Sequence, residues 1–128
     1  TSVNVCGTKE MALLCQSMKH LKALVHISTA FSNCPNDQIA ERFYDPPLKT
    51  DELIELCNSE NPTIPTEKYL EGWPNTYAFT KCVAEDAIMK YAAGIPTCIV
   101  RPSIVICTRS EPIEGWIDNY YGPAGYIA

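Results

Sequence analysis

Tyr77 and Lys81 are the side chains whose types and spacing point most directly to chemistry. Residues four apart on a helix lie on one face, a turn from each other. A free phenol has a pKa of about 10, and an ammonium group held beside a phenol stabilises the phenolate. A helical Tyr-x-x-x-Lys pair can therefore exchange a proton with a substrate oxygen. The same spacing also occurs in helices where the tyrosine packs and the lysine is solvated.

The helix that carries this pair is predicted to begin at Asn75 or Thr76, since either side chain can cap it. It should end at Gly94, and Pro96 prevents its continuation. Its apolar positions recur every four residues, which predicts one buried stripe: Phe79, Val83, Ala87 and Tyr91, with Ala84 and Ile88 beside them. The face with the tyrosine and lysine is adjacent to this stripe but distinct from it.

Two short apolar runs, residues 23–27 and Thr97–Val100, have the length of strands. The unbroken hydrophobicity of the first predicts a strand buried on both faces, as in a parallel sheet covered by helices. It leads into Ser28-Thr29-Ala30, and hydroxyls at the carboxyl end of a parallel strand lie where ligands bind. A simpler interpretation is that these hydroxyls bond the local backbone. His26 is better interpreted as packed than as catalytic. The second run ends at Arg101-Pro102-Ser103, and regular pairing should stop near the proline.

Residues 3–19 have the apolar spacing of a helix, with a predicted stripe of Val5, Met11, Ala12, Leu13, Leu14, Cys15 and Met18. Asn4 lies in its first turn or at its cap, where the side chain could bond backbone or a ligand. Gly7 costs a helix about 1 kcal/mol relative to alanine. That cost is tolerated where a neighbouring helix packs or something large approaches the backbone.

Residues 31–74 form a long insertion that contains six prolines. Thr50-Asp51-Glu52 should open a short helix, because acidic residues favour a helix N-terminus. Four apolar residues are predicted on its inner side: Leu53, Ile54, Leu56 and Cys57. Thr66-Glu67 can open another helix. A connection of this length is typical of a lid or a substrate-binding insertion.

Composition excludes several classes of protein. The 128 residues suffice for one small domain, and a hydrophobic content of 46% is typical of a globular chain. A net charge of −5 with no basic block argues against a nucleic-acid partner. The seven cysteines include no C-x-x-C pair, which argues against a structural metal site. Cys6, Cys15, Cys82 and Cys98 are predicted to face the core, which favours reduced thiols in a cytosol-facing compartment. There is neither a membrane-span-length apolar run nor a signal-peptide pattern.

The order helix, strand, long insertion, helix, strand predicts an α/β fold with a parallel sheet and right-handed crossovers. The sequence begins at Thr1 and ends in Gly-Pro-Ala-Gly-Tyr-Ile-Ala. We therefore expect it to be an internal piece of a longer protein.

Four motifs together resemble the extended short-chain dehydrogenase/reductase superfamily: Asn4-Val5-Cys6-Gly7-Thr8, Ser28-Thr29-Ala30, Tyr77-x-x-x-Lys81 and Val100-Arg101-Pro102-Ser103. The resemblance implies part of a Rossmann-like doubly wound parallel sheet without its N-terminal βαβ unit. Residues 1–128 would then be a partial NAD(P)-binding reductase domain with an insertion at about 31–74.

Longer stretches look like alcohol-forming fatty acyl-CoA reductases of the male sterility type, closest to insect members. They are His26-Ile27-Ser28-Thr29-Ala30-Phe31-Ser32-Asn33, Gly72-Trp73-Pro74-Asn75-Thr76-Tyr77, Arg101-Pro102-Ser103-Ile104-Val105 and Gly115-Trp116-Ile117-Asp118-Asn119 with Gly122-Pro123. The resemblance implies NADPH-dependent reduction of fatty acyl-CoA to a primary alcohol. A related reductase acting on a sugar nucleotide or steroid, and a non-catalytic fragment, remain alternatives.

The resemblance also implies roles for individual residues. Tyr77 would be the acid, and Lys81 would assist it and hold the nicotinamide ribose. Thr29 would hydrogen-bond the carbonyl oxygen. Asn4 would contact the cofactor, and Pro102 with Ser103 would flank the nicotinamide. The isolated fragment is expected to be inactive.

Four features depart from the pattern of the superfamily or of the reductase family. The glycine-rich phosphate loop and the residue that selects NAD or NADP are absent, which we attribute to truncation. Ile106 stands where relatives often have glycine. The membrane-associating C-terminal region of the family is also missing, and the resemblance implies a cytosol-facing place at the endoplasmic reticulum or peroxisome membrane. Oligomeric state and acyl chain length stay open.

Overall fold

The computed structural model describes residues 1–59, 66–118 and 122. The chain begins with a π-helix, Ser2–Gly7, that runs into helix α1, Thr8–Ser17. Strand β1, Leu24–Ile27, is followed by a 3₁₀ helix, Ala30–Asn33. The insertion carries helices α2, Thr50–Asn58, and α3, Thr66–Tyr69. Helix α4, Thr76–Tyr91, leads to strand β2, Thr97–Val100.

The two strands pair in parallel, which confirms the predicted α/β class. Leu24 lies opposite Thr97 and Ile27 opposite Val100. Backbone bonding continues past the strand ends, because the Ala30 N–H donates to the Pro102 carbonyl at 2.8 Å. Pro102 ends the regular ladder as predicted, yet still accepts this bond. The segments that follow β1 and β2 are therefore held side by side.

The prediction that β1 is buried on both faces is wrong for the described chain. Its side chains alternate between half-buried and exposed, and Val25 and Ile27 expose about half of their surface. Leu24 instead packs on the cluster formed by Ala12 and Ile88 of α1 and α4. Helices cover one face of the strand, and period-two alternation turns its other side chains away from them.

Helix α4 is the centre of the core and matches its prediction closely. The Asn75 side chain caps it by accepting the Ala78 N–H at 2.9 Å. Phe79 and Val83 are buried together with Val5 and Leu53. Ten consecutive or nearly consecutive residues of the helix are buried: Ala78, Phe79, Thr80, Cys82, Val83, Ala84, Glu85, Asp86, Ala87 and Ile88.

The first helix differs from its prediction in two ways. It is split into a π-helix and α1, and only Val5, Ala12 and Cys15 of the predicted stripe are buried. Met11, Leu13, Leu14 and Met18 are exposed, because they lie off the face that packs on α4. A Cβ at Gly7 would meet only the Ser2 carbonyl oxygen, at 3.7 Å. Among the described residues, the space that a Cβ at Gly7 would enter is otherwise open within 4 Å.

The insertion helices begin where predicted. Leu53 is buried, and Ile54 packs against the same cluster, but Cys57 is exposed, which corrects its predicted inward position. Of the four cysteines that were predicted to face the core, Cys15 and Cys82 are buried, Cys6 is half-buried and Cys98 is exposed. Cys98 alternates outward on β2, so its prediction was wrong.

Asp51, in the first turn of α2, ties three helices together. It accepts Lys9 of α1 at 3.0 Å and also contacts Lys90 and Tyr91 of α4. These donors hold the pKa of its carboxyl well below the usual range. No described helix is long and apolar enough to cross a membrane.

Candidate active site

Five of the six predicted site residues line one cavity of about 460 Å³. The cavity lies just beyond the carboxyl ends of β1 and β2, where ligands bind in open parallel sheets. The five are Thr29, Tyr77, Lys81, Pro102 and Ser103. The structure therefore brings residues from three separate segments to one opening.

Tyr77 lies in the first turn of α4 and exposes 52% of its surface. The packed alternative for this tyrosine therefore does not hold. The helix start that carries it is fixed by the Asn75 cap. The phenol therefore projects from a capped helix start and is open to a bound molecule.

Lys81 lies one turn further along α4, also on the cavity wall. Its Nζ donates to the Ile27 carbonyl oxygen at 2.8 Å, which joins the helix to the end of β1. Burial lowers the pKa of Lys81, and the nearby Glu85 carboxylate opposes that shift without cancelling it. An ammonium carries three N–H donors, so two remain for a ligand or for Tyr77.

Thr29 is buried at the start of the 3₁₀ helix. Its hydroxyl oxygen accepts the Phe31 N–H at 3.3 Å, as the local-bonding interpretation expected. That bond uses an oxygen lone pair and leaves the hydroxyl proton free to donate. The structural and chemical interpretations of this residue are therefore compatible.

Asn4 does not line this cavity. Its Nδ2 donates to the Thr80 hydroxyl at 3.0 Å, and that hydroxyl donates in turn to the Thr76 carbonyl. Asn4 thereby joins the π-helix to α4 one turn from the tyrosine. Its contact with a cofactor stays a prediction.

The sequence reasoning missed a buried carboxylate next to the cavity. Glu85 of α4 is 3% exposed. It accepts bonds from the hydroxyls of Ser28 and Ser32, from the Asn33 amide and from two nitrogens of Arg101. The signal was an acidic pair, Glu85-Asp86, in the middle of an otherwise apolar helix. Charged residues are rarely buried there unless they are paired.

Glu85 stays ionised despite its burial. Burial raises the pKa of this carboxyl, but the guanidinium of Arg101 and the hydroxyls of Ser28 and Ser32 outweigh it. The pKa of the Glu85 carboxyl therefore lies below its ordinary value of 4.5. A fixed negative charge therefore lies one helical turn from the Lys81 ammonium.

A sequence model of the male sterility protein family, described as an NAD-binding family, matches residues 1–128. This chain belongs to that family. The match covers the cavity residues of β1, α4 and β2 together.

Named relatives of this male sterility family member are fatty acyl-CoA reductases. The chain is 46% identical to fatty acyl-CoA reductase wat of Drosophila melanogaster, over 98% of this chain and 25% of the relative. It is 40% identical to fatty acyl-CoA reductase 1 of Xenopus laevis, over 96% of this chain and 24% of the relative. It therefore spans about a quarter of the length of these curated relatives. No solved structure matches the chain.

The NAD-binding family implies a nicotinamide cofactor, and the cavity's donor set fits part of one. A ribose presents hydroxyls, which the spare Lys81 N–H groups, the Tyr77 phenol and the Ser103 hydroxyl can bond. Pro102 and Ile104 offer apolar surface for a ring. The residues present thus fit the nicotinamide–ribose half of such a molecule.

Proposed function

We propose that this chain is the proton-handling part of a longer enzyme that reduces long-chain fatty acyl-CoA to a primary fatty alcohol with NADPH. The observation that carries the proposal is the convergence of Thr29, Tyr77 and Lys81 on one cavity beyond two parallel strands. The relatives named fatty acyl-CoA reductases supply the substrate class.

The reaction needs two hydride transfers. The first gives an aldehyde as the thioester C–S bond breaks and the CoA thiolate leaves, and the second gives an alkoxide that must be protonated to the alcohol. A bound NADPH would supply the hydride to the carbonyl carbon in each transfer. Negative charge then develops on the carbonyl oxygen and must be met by preorganised donors. The Thr29 hydroxyl donates a hydrogen bond to that oxygen in both transfers, and the Tyr77 hydroxyl donates its proton to the alkoxide formed in the second.

Lys81 would support proton donation by Tyr77 through its positive charge. Its bond to the Ile27 carbonyl holds the ammonium beside the phenol's helix turn. The positive charge favours the phenolate left after proton donation. Its remaining donors would bond the ribose hydroxyls, Pro102 and Ser103 would flank the nicotinamide, and Asn4 would contact the cofactor.

The longer protein would act at a cytosol-facing membrane of the endoplasmic reticulum or peroxisome. The support for this proposal is the family resemblance and the apolar product of such a reaction. Imaging the tagged full-length protein together with markers of both organelles tests it, and a purely nuclear or secreted signal would contradict it.

Product analysis of the full-length protein tests the function. Incubation with palmitoyl-CoA should yield hexadecanol, with NADPH preferred over NADH. A panel should include a sugar nucleotide and a ketosteroid. Turnover of either without acyl-CoA reduction would overturn the substrate assignment.

Thr29 offers a matched pair of variants for its proposed donor role. Thr29→Val keeps the size but removes the hydroxyl, and Thr29→Ser keeps the hydroxyl. We expect a loss of about 100-fold or more in kcat for valine, as for other donors to a developing oxyanion. Serine should retain most activity, and equal losses in the two variants would contradict the role.

A further inference from the structure

We propose that Glu85 is a positioning residue whose buried carboxylate holds the segments of Thr29, Lys81 and Pro102-Ser103 in register around the cavity. This inference rests on the proposed function, because it concerns the alignment of that site. It assigns Glu85 no contact with substrate or cofactor.

The first support is the distribution of the bonds. Ser28 and Ser32, on either side of the 3₁₀ helix start, both donate to Oε1 of Glu85, the latter at 2.8 Å. Arg101, at the end of β2, donates from Nε to Oε1 at 2.9 Å and from Nη2 to Oε2 at 2.7 Å. One carboxylate of α4 therefore joins the segment that follows β1 to the segment that follows β2.

The second support is the adjacency of each partner to a site residue. Ser28 immediately precedes Thr29, and Arg101 immediately precedes Pro102. Glu85 itself follows Lys81 by one helical turn. A shift of the carboxylate must therefore move the Thr29 hydroxyl, the Lys81 ammonium and the Pro102 segment relative to one another.

The third support is the way the insertion reaches the same network. Arg101 also donates from Nη2 to the Arg42 carbonyl at 3.0 Å. Its guanidinium lies 5.5 Å from the ring centroid of Tyr44. The insertion contacts the guanidinium on one side, and Glu85 bonds it on the other. Together these contacts fix the orientation in which two guanidinium nitrogens bond the carboxylate.

Asp86, the next residue, provides an internal control. It is also buried, at 8% exposure, and accepts the Thr50 N–H at 3.0 Å and the Thr50 hydroxyl at 2.7 Å. Lys49 completes its bonds at 3.3 Å. These partners belong to α2 and its N-terminus, and none of them lines the Tyr77 cavity. Asp86 is therefore buried and hydrogen-bonded like Glu85, but its partners do not lie beside the cavity.

The test compares Glu85→Gln with Asp86→Asn in the full-length protein. Unfolding is measured first, so that kinetics are taken where both variants are fully folded. We expect Glu85→Gln to lower kcat by about 10- to 100-fold beyond Asp86→Asn with KM for acyl-CoA little changed, because small misplacements of reacting groups are costly. Equal kcat values in the two folded variants would overturn the proposal.

Hydrogen exchange gives a readout that does not depend on the reaction. Glu85→Gln should speed amide exchange in peptides covering residues 27–33 and 101–105, and Asp86→Asn in peptides covering residues 48–53. If Glu85→Gln left the first two regions unchanged, positioning would be refuted. If the wild-type protein reduced no acyl-CoA, the proposed function would be contradicted. Hydrogen exchange would still test whether Glu85 positions these segments.

A milder pair covers the case in which Glu85→Gln does not fold. Ser28→Ala removes one hydroxyl that donates to Glu85, and Thr50→Val removes one that donates to Asp86. The serine variant should lower kcat several-fold, with faster exchange at residues 27–33. The threonine variant should leave kcat unchanged, and the reverse pattern would overturn the proposal.

Discussion

Glu85 and Asp86 are neighbours in sequence, buried in the same helix, yet they serve different regions of the molecule. Successive helical residues point about 100° apart. Glu85 therefore faces the ends of β1 and β2, and Asp86 faces the start of α2. The comparison teaches that one helix can anchor the catalytic end of the sheet and the insertion separately.

The two carboxylates also differ in how they are neutralised. Glu85 has a full counter-ion, Arg101, whose side chain is 15% exposed. Asp86 depends on the backbone and hydroxyl of Thr50, because its cation, Lys49, is 55% exposed. Burial raises the pKa of Asp86, but the Thr50 donors and then Lys49 bring it below the ordinary 3.8. The two networks should therefore respond very differently to loss of their cations.

Loss of the Glu85 counter-ion should have the largest effect on stability. Arg101→Met leaves a buried carboxylate without its cation and should lower the free energy of unfolding by about 3–5 kcal/mol. Arg42→Met is the matched control, since the Arg42 side chain contacts the Tyr44 ring but the bond to Arg101 comes from its backbone carbonyl. Urea unfolding of both variants measures the difference, and similar midpoints would contradict the counter-ion role.

Loss of the main Asp86 donor should have an intermediate effect. Thr50→Val keeps the shape of a fully buried residue but removes the hydroxyl bond to Asp86. We expect a loss of about 1–3 kcal/mol, because the carboxylate keeps the backbone N–H but lacks one donor. Thermal unfolding at pH 7 checks this, and Thr50→Ser should retain most of the stability. A valine variant as stable as wild type would show that this hydroxyl bond is not needed.

Loss of the Asp86 cation should have the smallest effect. Lys49→Met removes an exposed ammonium, and exposed ion pairs contribute about 0–1 kcal/mol. The change should shrink further in high salt. A loss as large as that of Arg101→Met would erase the contrast between the two networks.

Much of α4 could be predicted from sequence alone, because its signals are local. The Asn75 cap and the four-residue apolar repeat act within a few residues of the helix. The helix ends at Tyr91, three residues before its predicted end at Gly94, where the chain turns with a positive φ. The parallel pairing followed from the alternating order of helices and strands. The carboxyl-end rule for parallel strands placed Thr29 where ligands bind, and the family resemblance placed Tyr77 beside it.

The parts that sequence reasoning missed depend on distant partners. The bond between Glu85 and Arg101 joins α4 to the segment just after β2. The periodicity of each element does not show how the two are oriented relative to each other. Helical spacing indicated an apolar stripe in residues 3–19 but not which side meets α4, so Met11 was placed inward. The exposed position of Cys98 depends on which face of β2 the helices cover, which a four-residue run does not reveal.

The central claim is that Tyr77 donates the proton at this cavity. Its most direct test is Tyr77→Phe in the full-length protein, with Tyr69→Phe of α3 as the control for loss of a phenol elsewhere. Acyl-CoA reduction by Tyr77→Phe should fall by about 100-fold or more while the Kd for NADPH stays within about twofold. An acyl-CoA reduction rate equal to that of wild type would contradict the account.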